Sequence, residues 1–364
     1  MEIVHTSEDL RRYVDAALAL GPRGAILVDR YTLGRELDVD AIADGETVVI
    51  PGILQHVERA GVHSGDSFAV YPPLDLTAEE IQRVTAQTIA IARALRVVGL
   101  VNIQFVIQQG TAYVLEVNPR ASRTVPFLSK VTGVPMVMLG TAAALGRRLP
   151  ELGYQTGLMP DRPLHAVKAP VFSMAKLRKV DAVLGPEMKS TGEAMGIAFD
   201  LPQAQYKAFL ATMQDLPPDG AALCSIADAD KEEALPILAA LHRLGLRLFV
   251  TEGTARLCQR AGLPATRVDK LRQGHPNVVD VIRDGAVHLV VNTVSPASGD
   301  DGTTVPLRDG FEIRRASVER RIPCLTSLDT ARSLVEALER TRGRAGWTVA
   351  AISDYVAGLV EVAR

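Results

Sequence analysis

The stretch that most constrains this chain is LVNIQFVIQQGTAYVLEVNPRASRTVPF, Leu100 to Phe127. Two β-rich runs, Val101 to Ile107 and Ala112 to Val117, flank Gln109-Gly110-Thr111, which predicts a hairpin with a three-residue loop. A turn centred on Gly110 pairs residues equidistant from it, so Gln104 stands opposite Glu116, with Cβ atoms roughly 4.5–5.5 Å apart. Asn118 projects from the same face because strand side chains alternate. Two amide oxygens and a carboxylate thus converge among Val, Ile and Leu. Hard divalent cations take oxygen ligands, and phosphoryl-transfer sites hold them with carboxylates plus the substrate's phosphates. Arg120 and Arg123 follow at once, and planar guanidinium groups suit phosphate oxygens. On residue chemistry alone two readings stand: a metal site with phosphate-binding arginines, or a satisfied hydrogen-bond cluster beside two surface charges.

At 364 residues, 47% hydrophobic and 23% charged, the chain has the make-up of a soluble globular protein of two or three domains. A formal net charge of -2 gives no electrostatic footprint for nucleic acid. Cys224, Cys258 and Cys324 are far apart and form no CxxC pair, which argues against a zinc site or a disulfide framework and for reduced thiols. There is no signal-peptide pattern and no uncharged apolar run of about 18 residues, so the expectation is a cytoplasmic protein that spans no membrane.

Along the chain, Met1 to Val4 reads as a strand entered midway, and Ser7 to Leu20 as an amphipathic helix with Leu10, Tyr13, Val14 and Leu18 inward. Ala25 to Asp29 reads as a buried strand. Asp38 and Asp40 alternate with Leu37, Val39 and Ala41 in a period-two strand, and Asp44-Gly45 turns into a second strand, Val48 to Ile53. The polar GILQHVERAGVHSGDS is a loop able to bring backbone N–H groups close to a ligand. Thr77 and Glu80 give a capping-box pattern, and Ile81, Val84, Ile91 and Leu95 form the stripe expected to pack beneath the hairpin. Gly133 to Leu145 predicts an apolar helix, and 146–163 a loop.

The Leu216-Pro217-Pro218-Asp219-Gly220 cluster marks the expected boundary between domains 1–215 and 216–364. Beyond it, strands at Ala221 to Ile226, Leu246 to Val250, Thr266 to Asp269 and Val287 to Asn292 alternate with helices near 230–244, 254–261 and 277–283, a parallel α/β layout. Ligands collect beyond the carboxyl ends of such strands, and helix N-termini attract phosphate. Thr251-Glu252-Gly253-Thr254 sits at such a junction, with Lys231, Lys270, Asn292 and Thr293 on comparable edges. The pattern leaves open a phosphate pocket and ordinary loop chemistry. Ser295 to Val305 reads as a long polar loop.

GVHSGDS (Gly61 to Ser67), NIQF (Asn102 to Phe105), EVNPRASRTVPFLSK (Glu116 to Lys130) and LGPEMKSTGEAMG (Leu184 to Gly196) closely resemble the second, carbamate-phosphorylating ATP-grasp unit of the carbamoyl-phosphate synthetase large subunit. The tail is similar to that family's methylglyoxal-synthase-like regulatory domain, and the resemblance covers nearly the whole chain. It implies a mixed α/β and α+β architecture: a partial ATP-grasp domain followed by a parallel-sheet, Rossmann-like domain. It implies ATP with Mg²⁺ or Mn²⁺, and K⁺ as a further candidate ion. By resemblance Arg30, Tyr31 and Thr32 contact the purine, Glu36 the ribose, and Gly61, Val62, His63 and Ser64 the rest of ATP. Gln104, Glu116 and Asn118 match the metal site, and Arg120 and Arg123 the arginines at the transferring group.

Glu58 and Asp66 match carboxylates that bind the activator ornithine in some members. Lys231, Thr251, Thr254, Lys270, Asn292 and Thr293 match a nucleotide effector pocket, which binds UMP or IMP in some members. Three departures stand out. The segment before Glu36 is one residue shorter, Val294 stands where enteric members carry Thr, and Ala169 where some carry a glutamate used for ornithine. The glycine-rich strand pair that covers the phosphates in the family has no counterpart here, so the chain resembles only the C-terminal portion of the subunit. The implied partners are a glutaminase small subunit and the remainder of the large subunit.

The expected activity is phosphorylation of carbamate to carbamoyl phosphate, feeding pyrimidine and arginine biosynthesis. The alternative is a catalytically silent module that binds effectors and docks subunits. A different ATP-grasp ligase, or a true methylglyoxal synthase, fits fewer of these motifs.

Overall fold

The computed structural model describes residues 3–4, 6–19, 25–174, 180–213, 215–294, 305–341 and 348–358. Helix α1 (Ser7–Ala19) comes first, followed by β1 (Arg35–Asp44), β2 (Val48–Ile50), β3 (Ile53–His56), β4 (Ala69–Tyr71), α2 (Ala78–Ala94), β5 (Val98–Gln108) and β6 (Thr111–Asn118). Next are α3 (Thr124–Thr132), α4 (Met136–Ala144), β7 (Gly157–Leu158), β8 (His165–Val171), β9 (Gly192–Ala198) and α5 (Leu201–Thr212). These strands form one sheet in the order β6-β5-β1-β3-β4-β8-β9, with β2 on β1 and β7 on β2. Pairing along the main path is antiparallel.

Strand β1 is central and alternates by parity. Leu37, Val39, Ala41 and Ala43 join Val101, Ile103, Phe105 and Ile107 of β5 in a core capped by Val84 and Ala92 of α2. The even-numbered positions of both strands face the other way and carry the polar groups. Helix α2 starts with the expected capping box, Thr77 with Glu80. Its buried stripe is Val84, Thr88 and Ala92, whereas Leu95 is 57% exposed, because it lies at the C-cap beyond the last turn over the sheet.

The hairpin differs from expectation in an informative way. The turn has two residues, not three: Gln109 (φ 50) and Gly110 (φ 74) both have positive φ, the conformation that matches the twist of a tight hairpin. Gln108 therefore pairs with Thr111, and Phe105 with Val114. Continued without a break, that register would set Glu116 opposite Ile103, on the α2 side. A bulge at Leu115 absorbs one residue, so Gln104 pairs with Glu116 and Asn102 with Asn118. The predicted partners meet, but the bulge aligns them rather than the loop length.

Other expectations change. Ala25 to Asp29 forms no strand and is exposed, Leu27 by 83%, because no described strand pairs with it. No residue of α1 is fully buried: of the expected inward face Leu10, Tyr13 and Val14 are half-buried, and Leu18 is 52% exposed. Ile3 and Val4 are likewise not in a strand, and Met1 lies outside the described residues. The run Val48 to Ile53 breaks at Pro51-Gly52 into β2 and β3, so that β3 turns back along β1. The helix expected over Gly133 to Leu145 starts only at Met136, because Gly133 (φ 75) ends α3 and Pro135 precedes α4. Within 146–163, Gly157-Leu158 adds a short strand beside β2.

After Gly220 the topology changes. The elements are β10 (Ala221–Ser225), α6 (Lys231–Arg243), β11 (Arg247–Val250), α7 (Glu252–Arg260), β12 (Thr266–Arg267), α8 (Val278–Arg283), β13 (Leu289–Asn292), α9 (Val305–Glu319), β14 (Cys324–Leu325), α10 (Leu328–Thr341) and α11 (Ile352–Ala357). The sheet order is β12-β11-β10-β13-β14, all parallel. Of the loop expected over Ser295 to Val305, residues 295–304 lie outside the described residues and Val305 already begins α9. One apolar cluster runs through both sheets, from Val70 and Val167 through Ala204, Ala208 and Phe209 of α5 to Leu238, Leu248 and Leu334. Leu216, in the proline-rich joint, is buried within it. Among the described residues no single helix is long and apolar enough to cross a membrane. The bent pair α3 and α4, which together have the length and composition, pack into the core.

A tight contact sets a stability test. A Cβ at Gly196 would lie 2.0 Å from the carbonyl oxygen of Ala204 and 2.5 Å from the nitrogen of Ala208, both helix backbone that cannot rotate away. Gly196→Ala is expected to cost about 1–3 kcal/mol, the usual penalty for overpacking. The check is a lower urea midpoint at unchanged slope.

Candidate active site

The polar face of the first sheet begins with three carboxylates buried on one side of β1: Glu36 (7% exposed), Asp38 (2%) and Asp40 (0%). Charges this deep need partners. His56 on β3 supplies two contacts, with Nδ1 3.1 Å from Glu36 Oε2 and Nε2 3.0 Å from Asp38 Oδ2. Burial alone pushes the imidazole toward neutrality, but the bonds to Asp38 and Glu36 win and raise its pKa to about 9, so His56 is a cation at neutral pH. Burial likewise works against ionisation of Asp38, and the hydrogen bond and charge of His56, with Lys168, hold its carboxyl below the usual range. Asp40 has no such cation. Burial pushes it up to about 6, with Asp38 adding repulsion, while the hydroxyls of Thr124 and Ser122 and the amide of Asn102 donate to it.

The loop after β3 lies over this face. Gly61 N–H donates to Glu36 Oε1 at 3.3 Å, and Tyr31 Oη donates to the Ala60 carbonyl at 2.6 Å. Ser64 is bound from two strands: Gln104 Nε2 donates to its Oγ at 2.8 Å, and the buried Lys168 Nζ to its carbonyl at 2.8 Å. His63 Nδ1 accepts from Gly65 N–H at 3.0 Å and caps a short 3-10 turn, a structural part rather than a base. Val62 is half-buried; Arg30 is exposed, and its carbonyl accepts the Thr32 hydroxyl at 3.4 Å.

At the edge of the sheet, Asn118 Nδ2 donates to Glu116 Oε1 at 2.8 Å. Both amides of the trio thus donate their nitrogens to protein oxygens. Among the described residues, the side-chain oxygens Gln104 Oε1, Asn118 Oδ1 and Glu116 Oε2 accept no hydrogen bond. What remains to be filled is an all-oxygen set, which fits Mg²⁺. Among the described residues no group of three or more His, Cys, Asp or Glu is placed to hold a metal, consistent with a trio that has a single carboxylate. Arg123, at the start of α3, donates to Ser190 Oγ at 2.9 Å and to its carbonyl at 3.4 Å. Ser190 Oγ donates in turn to the Gly65 carbonyl at 2.7 Å. Arg120 is exposed, and its guanidinium reaches only the neighbouring Ala121 carbonyl at 3.1 Å.

Glu58 and Asp66 have protein partners. Asp66 receives the Lys189 and Ser190 N–H groups, each at 2.8 Å, and so pins the segment that carries Ser190. Glu58 accepts from Phe68 N–H at 2.8 Å and from Thr330 Oγ1 of α10 at 2.6 Å; burial pushes its carboxyl up to about 7. Beside it Arg59 pairs with Glu233 and Asp329, a second link between the two sheets.

The remaining expected residues gather elsewhere, at the carboxyl edge of the parallel sheet. Thr254 Oγ1 accepts Ile226 N–H at 3.3 Å and lies 3.5 Å from Thr251 Oγ1; Thr293 Oγ1 accepts Ala227 N–H at 2.8 Å. Asn292 Nδ2 donates to the Ser225 carbonyl at 3.2 Å, Lys231 pairs with Asp228, and the charge of exposed Lys270 is felt at both Asp228 and Glu252. His56, Lys168, Ser190, Asp181 and Arg314 went unnoticed in the sequence. His56 and Ser190 lay within quoted stretches, GILQHVERAGVHSGDS and LGPEMKSTGEAMG, but nothing there marked them out individually.

A family model described as "Carbamoyl-phosphate synthase L chain, ATP binding domain" matches residues 1–152, and one described as "MGS-like domain" matches residues 233–326. Among solved structures, the biotin carboxylase domain of a single-chain bacterial carboxylase is 17% identical over 51% of this chain and 47% of that one, with a TM-score of 0.40. The biotin carboxylase domain of Hydrogenobacter thermophilus 2-oxoglutarate carboxylase, in complex with MgADP, ADP and bicarbonate, is 19% identical over 46% and 37%, with a TM-score of 0.38. The chain spans less than half the length of these structures. An antiparallel domain matched by an ATP-binding model followed by a parallel MGS-like domain is the class of protein that these matches define. That succession is similar to the C-terminal arrangement of a carbamoyl-phosphate synthetase large subunit.

The buried triad gives a pH test. The pKa of His56 is raised from 6.5 to about 9, so its stabilisation is complete below pH 6.5 and is lost as pH rises through about 9. The native protein should lose stability over that window, and His56→Gln should not show the loss. At pH 6, His56→Ala leaves two buried carboxylates without their cation and should cost about 3–5 kcal/mol in chemical denaturation.

Proposed function

We propose that the first domain transfers the γ-phosphoryl group of ATP to carbamate, giving carbamoyl phosphate and ADP, within a glutamine-dependent carbamoyl-phosphate synthetase. The observation that carries this reading is the meeting of Gln104, Glu116 and Asn118 across one hairpin, beside Ser64 and with Arg123 tied to the same loop through Ser190. Phosphoryl transfer asks mainly for positioning and charge neutralisation. Gln104, Glu116 and Asn118 would hold Mg²⁺, or Mn²⁺ through the same hard oxygens. Bound there, the metal would supply charge neutralisation of the ATP phosphates.

The chain's own groups do the rest. Ser64 and Gly65 place backbone against the phosphates, held from below by Gln104 and Lys168. Arg123, oriented by Ser190, and the exposed Arg120 offer guanidinium groups to charge developing on the transferring group. Tyr31 and Glu36 border the side where purine and ribose are expected. The reading carries with it a glutaminase small subunit, the remainder of a large subunit and a cytoplasmic setting in pyrimidine and arginine biosynthesis. The carboxyl edge of the second sheet, with Lys231, Thr251, Thr254, Lys270, Asn292 and Thr293, would take a nucleoside monophosphate effector of the UMP or IMP type.

One observation favours a second reading, a module that binds effectors and docks subunits without turnover alone. Residues 25–33, on the purine side, leave Leu27, Val28 and Leu33 exposed instead of forming a closed wall. Calorimetric titration of the chain with ATP·Mg²⁺ and with UMP separates the two, since UMP binding without ATP binding favours the module. In the complete enzyme, Glu116→Ala should lower metal-dependent carbamoyl phosphate formation roughly 100-fold or more, the usual cost of removing one charge-stabilising group. Unchanged turnover would refute the assignment.

A further inference from the structure

We propose that Arg314 and Asp181 are the positioning pair through which a phosphate-bearing ligand at the carboxyl edge of the second sheet is felt at the nucleotide loop of the first. The inference rests on the effector reading of that edge. Arg314 lies on α9 with its side chain 3% exposed. Its Nη1 donates to Asn292 Oδ1 at 2.7 Å, and its Nε and Nη2 donate to Asp181 Oδ1 and Oδ2 at 2.5 and 2.6 Å, a bidentate fork. Asn292 ends β13 and is held at its other end by the Ser225 carbonyl, so one guanidinium reads the orientation of an amide on the pocket floor.

Asp181 belongs to the connection between β8 and β9 of the first sheet. Its described part from Asp181 to Ser190 is bonded repeatedly to its surroundings. Asp181 Oδ1 accepts Val183 N–H at 3.2 Å, and Leu184 N–H donates to Thr326 Oγ1 at 3.2 Å. The Gly185 carbonyl accepts His63 N–H at 2.8 Å, and Lys189 and Ser190 reach Asp66 and Arg123 as described above. The nucleotide loop is therefore held along one side by a segment whose start is fastened to Arg314.

The guanidinium is a rigid plane whose Nε, Nη1 and Nη2 are already directed at Asp181 and Asn292, so it can turn toward a new partner only by leaving that alignment. A phosphate dianion arriving next to Asn292 offers Arg314 a second anionic partner, and turning the planar fork toward it would break its alignment with Asp181. Burial works against the ionised Asp181, and the hydrogen bond and charge of Arg314 hold its carboxyl below the usual range, so Arg314 is the partner that this half-buried carboxylate depends on most. Occupying the pocket would thereby loosen residues 180–190 and, with them, the His63 and Ser190 anchors of the loop.

The test is hydrogen–deuterium exchange of the full chain with and without saturating UMP, with binding followed by calorimetry and repeated with IMP and inorganic phosphate. In the native protein the amides of His63, Lys189 and Ser190 should exchange roughly fivefold faster once UMP is bound, the low end of usual coupling factors. Asp181→Asn should bind UMP within about threefold of the native affinity yet show the same fast exchange at those amides with or without UMP. If Asp181→Asn is destabilised by the stranded Arg314 charge, the double variant Asp181→Asn/Arg314→Met removes that charge and carries the same expectation. UMP binding that leaves exchange at 61–66 and 184–190 unchanged or slower overturns the pair, as does a full response in either variant. Absence of binding by UMP, IMP and phosphate overturns the effector reading itself, and the pair with it.

Discussion

Three carboxylates buried on one face of a single strand set the terms for the rest of the first domain. Glu36, Asp38 and Asp40 are almost sealed from water, and such a row would unfold the sheet by self-repulsion and desolvation if left alone. The compensation comes from every neighbouring element: His56 from β3, Lys168 from β8, Asn102 from β5, and Ser122 and Thr124 from the start of α3. Lys168 spends its hydrogen bond on the Ser64 carbonyl, so the group that offsets charge also fixes the loop above it. Stability and site geometry are therefore the same set of contacts.

How far this was legible depended on whether the controlling contact was local. The Gln104–Glu116 pairing could be read because it lies within one hairpin, although the right partners came from a wrong turn. A two-residue turn and a bulge at Leu115 give the same result as a three-residue loop, and the sequence offers no mark at Leu115 to tell them apart. The capping box at Thr77 was likewise readable, since both partners sit three residues apart. Apolar runs misled where nothing covers them. Ala25 to Asp29 has the composition of a buried strand, but composition says only that burial would be favourable, not that a neighbour exists. The His56 triad joins residues 18 and 20 apart, and Arg314 joins Asp181 across 133 positions, separations at which a single sequence carries no pairing signal.

The two sheets are coupled more closely than the proline-rich joint suggests. Leu216 is a member of a continuous apolar cluster, and α5 and α10 pack together with Gln205 donating to Ser333 at 2.9 Å. Polar fastenings fall at two places around the 61–67 loop, Glu58 and Arg59 to α10 and the Asp181 connection to α9. Apolar packing is tolerant of small slides, whereas a buried bidentate ion pair is lost within an ångström or so of misplacement. The cluster keeps the domains together, and the fastenings set their register.

A similar division holds among the acidic groups and explains which of them could meet a metal. The carboxylates of β1 are already neutralised by His56 and Lys168 or silenced by donors and a raised pKa, so none has charge to spare for an incoming cation. Glu116 lies on the edge strand, exposed, with an amide as its only described partner and one oxygen without any. A ligand carboxylate has to be ionised before the metal arrives, which is cheap at the water-facing edge and costly in the interior. Burial on β1 and exposure on β6 thus assign different work to chemically equivalent groups, and the bulge at Leu115 is what brings the exposed one alongside Gln104.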